Sequence, residues 1–507
     1  MKNSFPRLCP ASCVIFAVTI LWFGLFALGG VDPHHDGIML KPAADVATGQ
    51  ILFRDTFTQY GLLTVFLQAL AIKIGGATVL AVRLSTVLFY AMSAVLLYRI
   101  WSRLLNPGYV WGVMILFWIL PGFCLSGWIF LPWSSVYALF FMLLMTECIF
   151  NVLKTERKID WYFIGAAGAA AFWCRQTYGV TLVAAGIFAV LLHWRQVEQW
   201  KVTLQRLLRL VGGALLFSAL PVMYLLVWGA FEDWCIQSIR FAFRFGKTGG
   251  VDIGGLPEVW LPLQLILALF PIKTSYVLFP VLTLLFFVYS IIGIWKKKAV
   301  NWFLLAVALV ALASWHQYFP VGCPRHWYWA ATPMFGFFVL TIQNLVAATG
   351  RRMLRFSAIV LLTLLLVPTI LERINGMVDY CRNFSQRRQI IQAPMGGIFL
   401  EPGAYNYWQA VQKAFDSIPP QYNKRAFVNL TDSGLYNLYF PEQKNFHPMY
   451  INWGAQVYGD YPEKLKLFLN DKQPVAIFYS NKQPRKSFMF FRIKNRNVDL
   501  YLLIPPQ

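Results

Sequence analysis

The chain has 507 residues, of which 58% are hydrophobic, 17% aromatic and only 13% charged. Soluble domains carry nearer a quarter charged residues, and here the charges are clumped between long apolar runs, which excludes a soluble globular protein and points to an integral membrane one. The net charge of +22 does not indicate a nucleic-acid partner: the basic residues stand in short clusters between apolar runs and are not gathered on one soluble face.

In chain order, the stretch MKNSFPRLCPASCVIFAVTILWFGLFALGGVDP has the charges and apolar core of a signal peptide. Its core of about 20 residues exceeds the usual h-region of roughly 7–15, so we read an uncleaved first helix. That helix covers about 11–30, with Lys2 and Arg7 holding the N-terminus in the cytoplasm. The segment GLLTVFLQALAIKIGG carries Lys73 and is short, which reads as an interfacial helix. Further spans are expected at about 78–98, 109–125, 132–152, 160–175, 178–194, 208–230, 274–295, 299–315, 328–348 and 355–371, about 11 in all. With that arrangement the basic clusters YRIWSRLL, KTERK, RQVEQWKVTLQRLLR, WKKK and GRRMLR all fall on the cytoplasmic side. The odd number of spans puts the C-terminus outside.

From about Glu372 the composition turns polar and looped. The runs RAFVNL, PVAIFYS, SFMFFRI and VDLYLLI read as strands, and YPEKLKLFLNDK as a helix. The expected organisation is therefore a transmembrane domain over 1–371 and a small mixed α/β domain over 372–507 on the outer face. The eight cysteines have no metal-like spacing and read as small apolar residues, with a Cys235–Cys323 disulfide as the alternative. Asn383 and Asn429 begin the sequons NFS and NLT.

The stretch VDPHHDGIMLKPAADVATGQILFRDTFTQYG, directly after the first span, holds Asp32, Asp36, Asp45 and Asp55 and the adjacent His34 and His35. On the same side lie Arg175 in FWCRQTYG, Lys247 in the loop FEDWCIQSIRFAFRFGKTGGVDIGGLPEVW, and Arg325 with His326 in HQYFPVGCPRHWYW. Acids in one loop thus face cations in three others. Glycosyl transfer from a lipid-phosphate donor needs such a set. A carboxylate takes the proton of the acceptor hydroxyl, and cations or a metal meet the charge of the leaving phosphate, for which the planar fork of arginine is suited. A His-His-Asp cluster can also hold a divalent cation, Mg or Mn, with Asp36 and His35 as the ligands.

Plainer roles exist for each residue. Asp32 before Pro33 can start a turn, Asp55 can pair with Arg54, Asp45 and the two histidines can be solvated, and Arg83 can snorkel to the interface. Trp327, Tyr328 and Trp329 read as an interfacial aromatic belt.

The motifs HHDG (His34 to Gly37), TGQILFRDTFTQYGLL (Thr48 to Leu63), AVRLSTVLFY (Ala81 to Tyr90) and RHWYWAATPMF (Arg325 to Phe335) resemble those of polytopic glycosyltransferases of the GT-C fold. The similar group comprises protein O-mannosyltransferases, aminoarabinose transferases of lipid A and lipopolysaccharide sugar transferases, and the resemblance covers roughly residues 1–371. The group often has an acid pair at the first site, whereas Asp32 and Asp36 are separated by Pro33, His34 and His35. By its position before Gly37, the resemblance implies Asp36 as the catalytic base, with Asp32 second. It matches Asp55 to a second loop acid that positions acceptor or metal.

The sequence is therefore expected to encode a glycosyltransferase of the inner membrane, its C-terminal domain periplasmic. It would move a sugar from a polyprenyl-phosphate donor to an envelope glycolipid or glycan hydroxyl, inverting the anomeric carbon. Arg325, Arg175, His326 and Lys247 would bind the donor phosphate. The alternatives are a lipid-linked sugar transporter or flippase, and a non-catalytic scaffold that binds lipid-linked sugar.

Overall fold

Within lipid a backbone must satisfy its own N–H and C=O groups, and a helix does so within a single segment. The computed structural model describes residues 10–121, 130–155, 157–196, 199–241, 275–318, 324–348, 352–422, 425–431, 433–439, 461–472, 474–480, 489–493 and 499–504. The first half comprises α1 (Pro10–Ala27), α2 (Pro33–Ala47), α3 (Leu62–Gly75), α4 (Val79–Trp101), α5 (Pro107–Ile119), α6 (Ser134–Thr155), α7 (Lys158–Cys174), α8 (Gly179–Gln196), α9 (Trp200–Val227) and the short α10 (Phe231–Trp234). The second half adds α11 (Ser275–Trp295), α12 (Trp302–Ser314), α13 (Pro324–Ala331), α14 (Phe335–Ala347), α15 (Arg352–Phe384), α16 (Pro402–Asp416) and α17 (Tyr461–Lys472).

Eight helical segments among the described residues are long and apolar enough to cross a membrane. The spans expected over 109–125, 160–175 and 299–315 fall on α5, α7 and α12, which have 13, 17 and 13 residues. That is short of the roughly 20 residues a bilayer core requires. Helix α7 is wedged between α6 and α9. Gly165 and Gly213 permit this close approach, since a Cβ at Gly165 would stand 1.9 Å from the Leu210 carbonyl oxygen and one at Gly213 would stand 2.0 Å from that of Tyr162.

Helix α15 runs unbroken for 33 residues through the expected boundary at 371. After it come the hairpin β1 (Arg388–Ile390) and β2 (Ile398–Leu400), then a four-stranded sheet of β3 (Phe427–Asn429), β4 (Val475–Ser480), β5 (Met489–Ile493) and β6 (Asp499–Ile504) in the order β3-β4-β6-β5. Strands β3 and β4 run parallel and the other pairs antiparallel.

This C-terminal unit grips one end of the bundle. Phe399 of β2 bonds the turn after α1 through Gly30 N–H, 2.9 Å, and through the Leu28 carbonyl, 2.7 Å. A 3-10 turn, Gly434–Tyr439, rests on α2 so closely that a Cβ at Gly37 would meet the Leu435 backbone nitrogen at 2.4 Å.

Several sequence expectations are corrected by this packing. Trp327, Tyr328 and Trp329 are not an interfacial belt: they are buried at 0–3% exposure. Tyr328 donates to the Phe117 carbonyl and Trp329 to Tyr90, because α13 turns inward against α4 and α5. Asp45 is buried and bonded to Lys41 one turn away, not solvated. The sequon Asn429 is buried, its amide donating to the Ser433 carbonyl and its oxygen accepting from Thr431, which makes the triplet a turn. Cys235 carries a free thiol, and its suggested partner Cys323 lies outside the described residues.

Candidate active site

The site is built on the first turn of α2. Asp32 caps that helix in extended conformation (φ −109°, ψ 103°), its Oδ1 accepting from the backbone N–H groups of His34 and His35, and Pro33 fixes the first helical position. Asp-Pro is therefore both a helix start and an anchor for the site. One turn on, His35 folds back so that its Nδ1 stands 2.7 Å from Asp32 Oδ2.

Asp36, next in sequence, points the other way. Arg83 of α4 engages both of its oxygens, Nη2 to Oδ2 at 2.6 Å and Nε to Oδ1 at 3.1 Å, and the Asp32 amide donates to Oδ2 at 2.9 Å. Arg83 also donates to the carbonyls of Ala27, Gly29 and Gly30. Neither side chain is more than 1% exposed. This pair rivets the end of α1 and the start of α2 to α4. Arg83 is thus not snorkelling, and the Asp36 carboxylate expected as the base lies buried in an ion pair with it.

Arg325, 290 residues further along the chain, places Nη2 3.2 Å from His35 Nε2. Its guanidinium lies over the Trp133 ring, 5.2 Å from the centroid. Trp133 packs against both His35, at 5.2 Å, and Tyr60, at 5.5 Å. Arg175 lies over Tyr60 at 5.8 Å and donates to Ser134, the neighbour of Trp133, at 3.4 Å. The fold thus gathers Asp32, His35, Arg325 and Arg175 around a floor of Tyr60 and Trp133. Gln317 extends the polar wall by donating to Thr177 at 2.6 Å.

The remaining expected residues stand elsewhere. His326 is buried, its ring packed on Trp329 at 5.6 Å. Lys247 lies outside the described residues. Asp55 pairs with the exposed Arg54 and accepts from the Ile51 N–H at 2.9 Å. Its loop is pinned by Gln237 of the π-helix Cys235–Arg240, whose amide donates to the Phe53 carbonyl at 2.7 Å and whose oxygen accepts from Thr58 N–H at 3.2 Å. Phe53 holds φ 71° there, a left-handed conformation that a bulky residue adopts only under constraint.

Electrostatics separate the two aspartates. Burial pushes the Asp32 carboxyl up, but the hydrogen bonds it accepts from His35 overcome it and hold the group down at about 2. Burial drives the Asp36 carboxyl above its ordinary value against the pull of Arg83. Tyr60 is raised by burial, and the charges of Arg175 and Arg325 oppose that shift. A divalent cation does not fit Asp36 and His35. The oxygens of Asp36 are taken by Arg83 and the Asp32 amide, His35 by Asp32 and Arg325, and the guanidinium beside each would repel a cation. Among the described residues no group of three or more His, Cys, Asp and Glu is placed to hold a metal.

Trp133 and Tyr60 escaped the sequence reading, because a Trp beside a span looks like an interfacial anchor and only the fold shows what it floors. Gln237 gave no signal.

No protein-family model matches the chain, and no curated protein matches it. Among solved structures, the oligosaccharyltransferase of Archaeoglobus fulgidus with zinc and sulfate is similar at TM-score 0.51 and 14% identity, over 85% of this chain and 61% of that one. Its apo form is similar at TM-score 0.53 and 12% identity, over 94% of this chain and 70% of that one. The shared fold is GT-C. The chain thus spans about 61% of the first GT-C neighbour's length, and the likeness lies in the fold.

Proposed function

We propose that the chain is a membrane glycosyltransferase that transfers a sugar from a polyprenyl-phosphate donor to a hydroxyl of an envelope glycolipid or glycan. The observation that carries this reading is the approach of Arg325 to the Asp32–His35 pair across 290 residues of sequence, with Arg175 on the same aromatic floor. An acid–histidine pair facing two guanidinium groups suits a reaction in which a hydroxyl loses a proton while a phosphate leaves. Arg325 and Arg175 would hold the phosphate through their paired donors, and Tyr60 with Trp133 would seat the sugar face. Asp36 and Arg83 would keep the first turn of α2 in place, and Asp55 would hold the neighbouring loop. One direct displacement inverts the anomeric carbon. The enzyme would lie in the inner membrane with its N-terminus cytoplasmic and a periplasmic C-terminal domain. No step is assigned to a metal.

The test uses the full-length protein in nanodiscs with a panel of polyprenyl-phosphate sugars and an envelope lipid extract. Release of polyprenyl phosphate by wild type, lowered at least about a hundredfold by Arg325→Ala, is the expected result. Absence of release from every donor, with labelled donor still bound, would sink the enzyme reading and turn attention to transport of the lipid-linked sugar.

A further inference from the structure

We infer that His35, through Nε2, is the group that takes the proton from the acceptor hydroxyl, with Asp32 as its orienting partner and Arg325 as the latch that keeps it uncommitted until the donor arrives. The inference rests on the glycosyl-transfer reading and names the acting atom in that site.

The tautomer follows from what each neighbour can do. A guanidinium carries only donors, so His35 Nε2, 3.2 Å from Arg325 Nη2, must accept. The ring proton then resides on Nδ1, which donates to Asp32 Oδ2 at 2.7 Å. Asp32 cannot swing away easily, because its Oδ1 also caps α2 by accepting from His34 and His35 N–H. Carboxylate, imidazole and an outward nitrogen lone pair thus stand in line, an arrangement in which the acid fixes the tautomer and steadies the imidazolium that forms. The side chains of His35 and Asp32 are 20% and 23% exposed, against at most 1% for Asp36 and Arg83, so His35 is within reach of a substrate.

Arg325 is the natural competitor for Nε2 and for the donor phosphate. The donor's phosphodiester, a monoanion with two free oxygens, offers that guanidinium a charged, bidentate partner, stronger than a neutral imidazole nitrogen. Donor binding therefore draws Arg325 off Nε2 and opens the lone pair to the acceptor hydroxyl. In the step itself the hydroxyl proton passes to Nε2. The oxygen pair forms the new bond to the anomeric carbon. The bond from that carbon to the phosphate oxygen breaks, and its electrons leave on the phosphate facing Arg325 and Arg175. The imidazolium later gives its proton to water.

The test takes full-length His35→Gln, His35→Ala and Asp32→Asn in nanodiscs, with the polyprenyl-phosphate sugar that wild type turns over. His35→Gln keeps an amide in the place of the ring but cannot accept the proton. The expected result is a kcat lowered at least about a hundredfold in both His35 variants with donor KM within about threefold. Added imidazole restores turnover in His35→Ala in proportion to its free-base concentration, and restores nothing in Asp32→Asn. If His35→Gln keeps turnover within about threefold of wild type, the assignment is overturned while the glycosyl-transfer reading stands. A loss in His35→Ala that imidazole leaves untouched makes His35 a positioning residue and likewise overturns it. A wild type that turns over no donor removes both the reading and the inference.

Discussion

Asp32 and Asp36 stand one turn apart at the start of the same helix, yet nearly everything that sets carboxylate chemistry differs between them. Asp32 is partly exposed, bound to a histidine and held at about 2. Asp36 is sealed, clamped on both oxygens by Arg83 and raised by burial. A buried ion pair contributes mainly by the penalty incurred when one half is lost. A partly wet acid–histidine pair can exchange partners during a reaction. The pattern shows that in such a loop residue type does not assign role; the direction in which each side chain leaves the helix does.

The largest effect expected from this contrast is on stability. Asp36→Asn leaves Arg83 buried without its counter-charge and should cost about 3–5 kcal/mol of unfolding free energy, measured by denaturant titration in detergent. The double variant Asp36→Leu, Arg83→Met should recover most of it. Should Asp36→Asn instead lose turnover a hundredfold with an unchanged unfolding midpoint, the roles of the two aspartates would be exchanged.

Next in size, on the proposed reaction Arg325→Ala should reduce turnover about 10²–10³-fold with little change in the unfolding midpoint, since it would remove charge stabilisation from the leaving phosphate. Equal losses of stability and turnover would place Arg325 with the rivets and not with the chemistry.

Third comes a pH effect on folding. Because the Asp32 carboxyl sits at about 2 in the folded chain against 3.8 ordinarily, the unfolded chain protonates first as acid is added. The stability Asp32 supplies is full above roughly pH 4 and disappears as the pH falls towards 2. Wild type and Asp32→Asn should therefore differ by about 2 kcal/mol near pH 6 and converge near pH 2. A constant gap across that range would remove His35 as the cause.

Smaller still, Trp133→Ala takes away the surface under Arg325 and should weaken donor binding roughly fivefold, the scale of a cation–π contact, read as KM with kcat less affected. Smallest is Arg54→Ala: an exposed partner of Asp55 should leave both the unfolding midpoint and turnover within error of wild type.

Much of the fold was legible because its signals are local. Runs of apolar residues specify helices wherever they stand, and Asp32-Pro33 marks a helix start through capping alone. The strand-like runs of the C-terminal part fall on β3 to β6 for the same reason, as alternation along a strand is read without knowing its neighbours. The site was legible only in part. Asp32, His35, Arg175 and Arg325 stood out as ionisable groups in a chain poor in them. Which acid pairs with which cation was hidden, since Asp36–Arg83 and His35–Arg325 join residues 47 and 290 positions apart. The aromatic segment 327–329 was misread because tryptophan and tyrosine suit a membrane interface and a helix core equally well by composition.

The sequence by itself determined a polytopic helical membrane protein, a polar C-terminal unit and a loop rich in acids at one end of the bundle, each a consequence of local hydropathy and capping. The tertiary structure alone decided that Asp36 is buried against Arg83, that His35 meets Arg325, and that Tyr60 and Trp133 floor the space between two guanidinium groups. Those outcomes depend on which faces of distant helices meet, and that is fixed by close packing across the whole bundle and not by any stretch of chain within it.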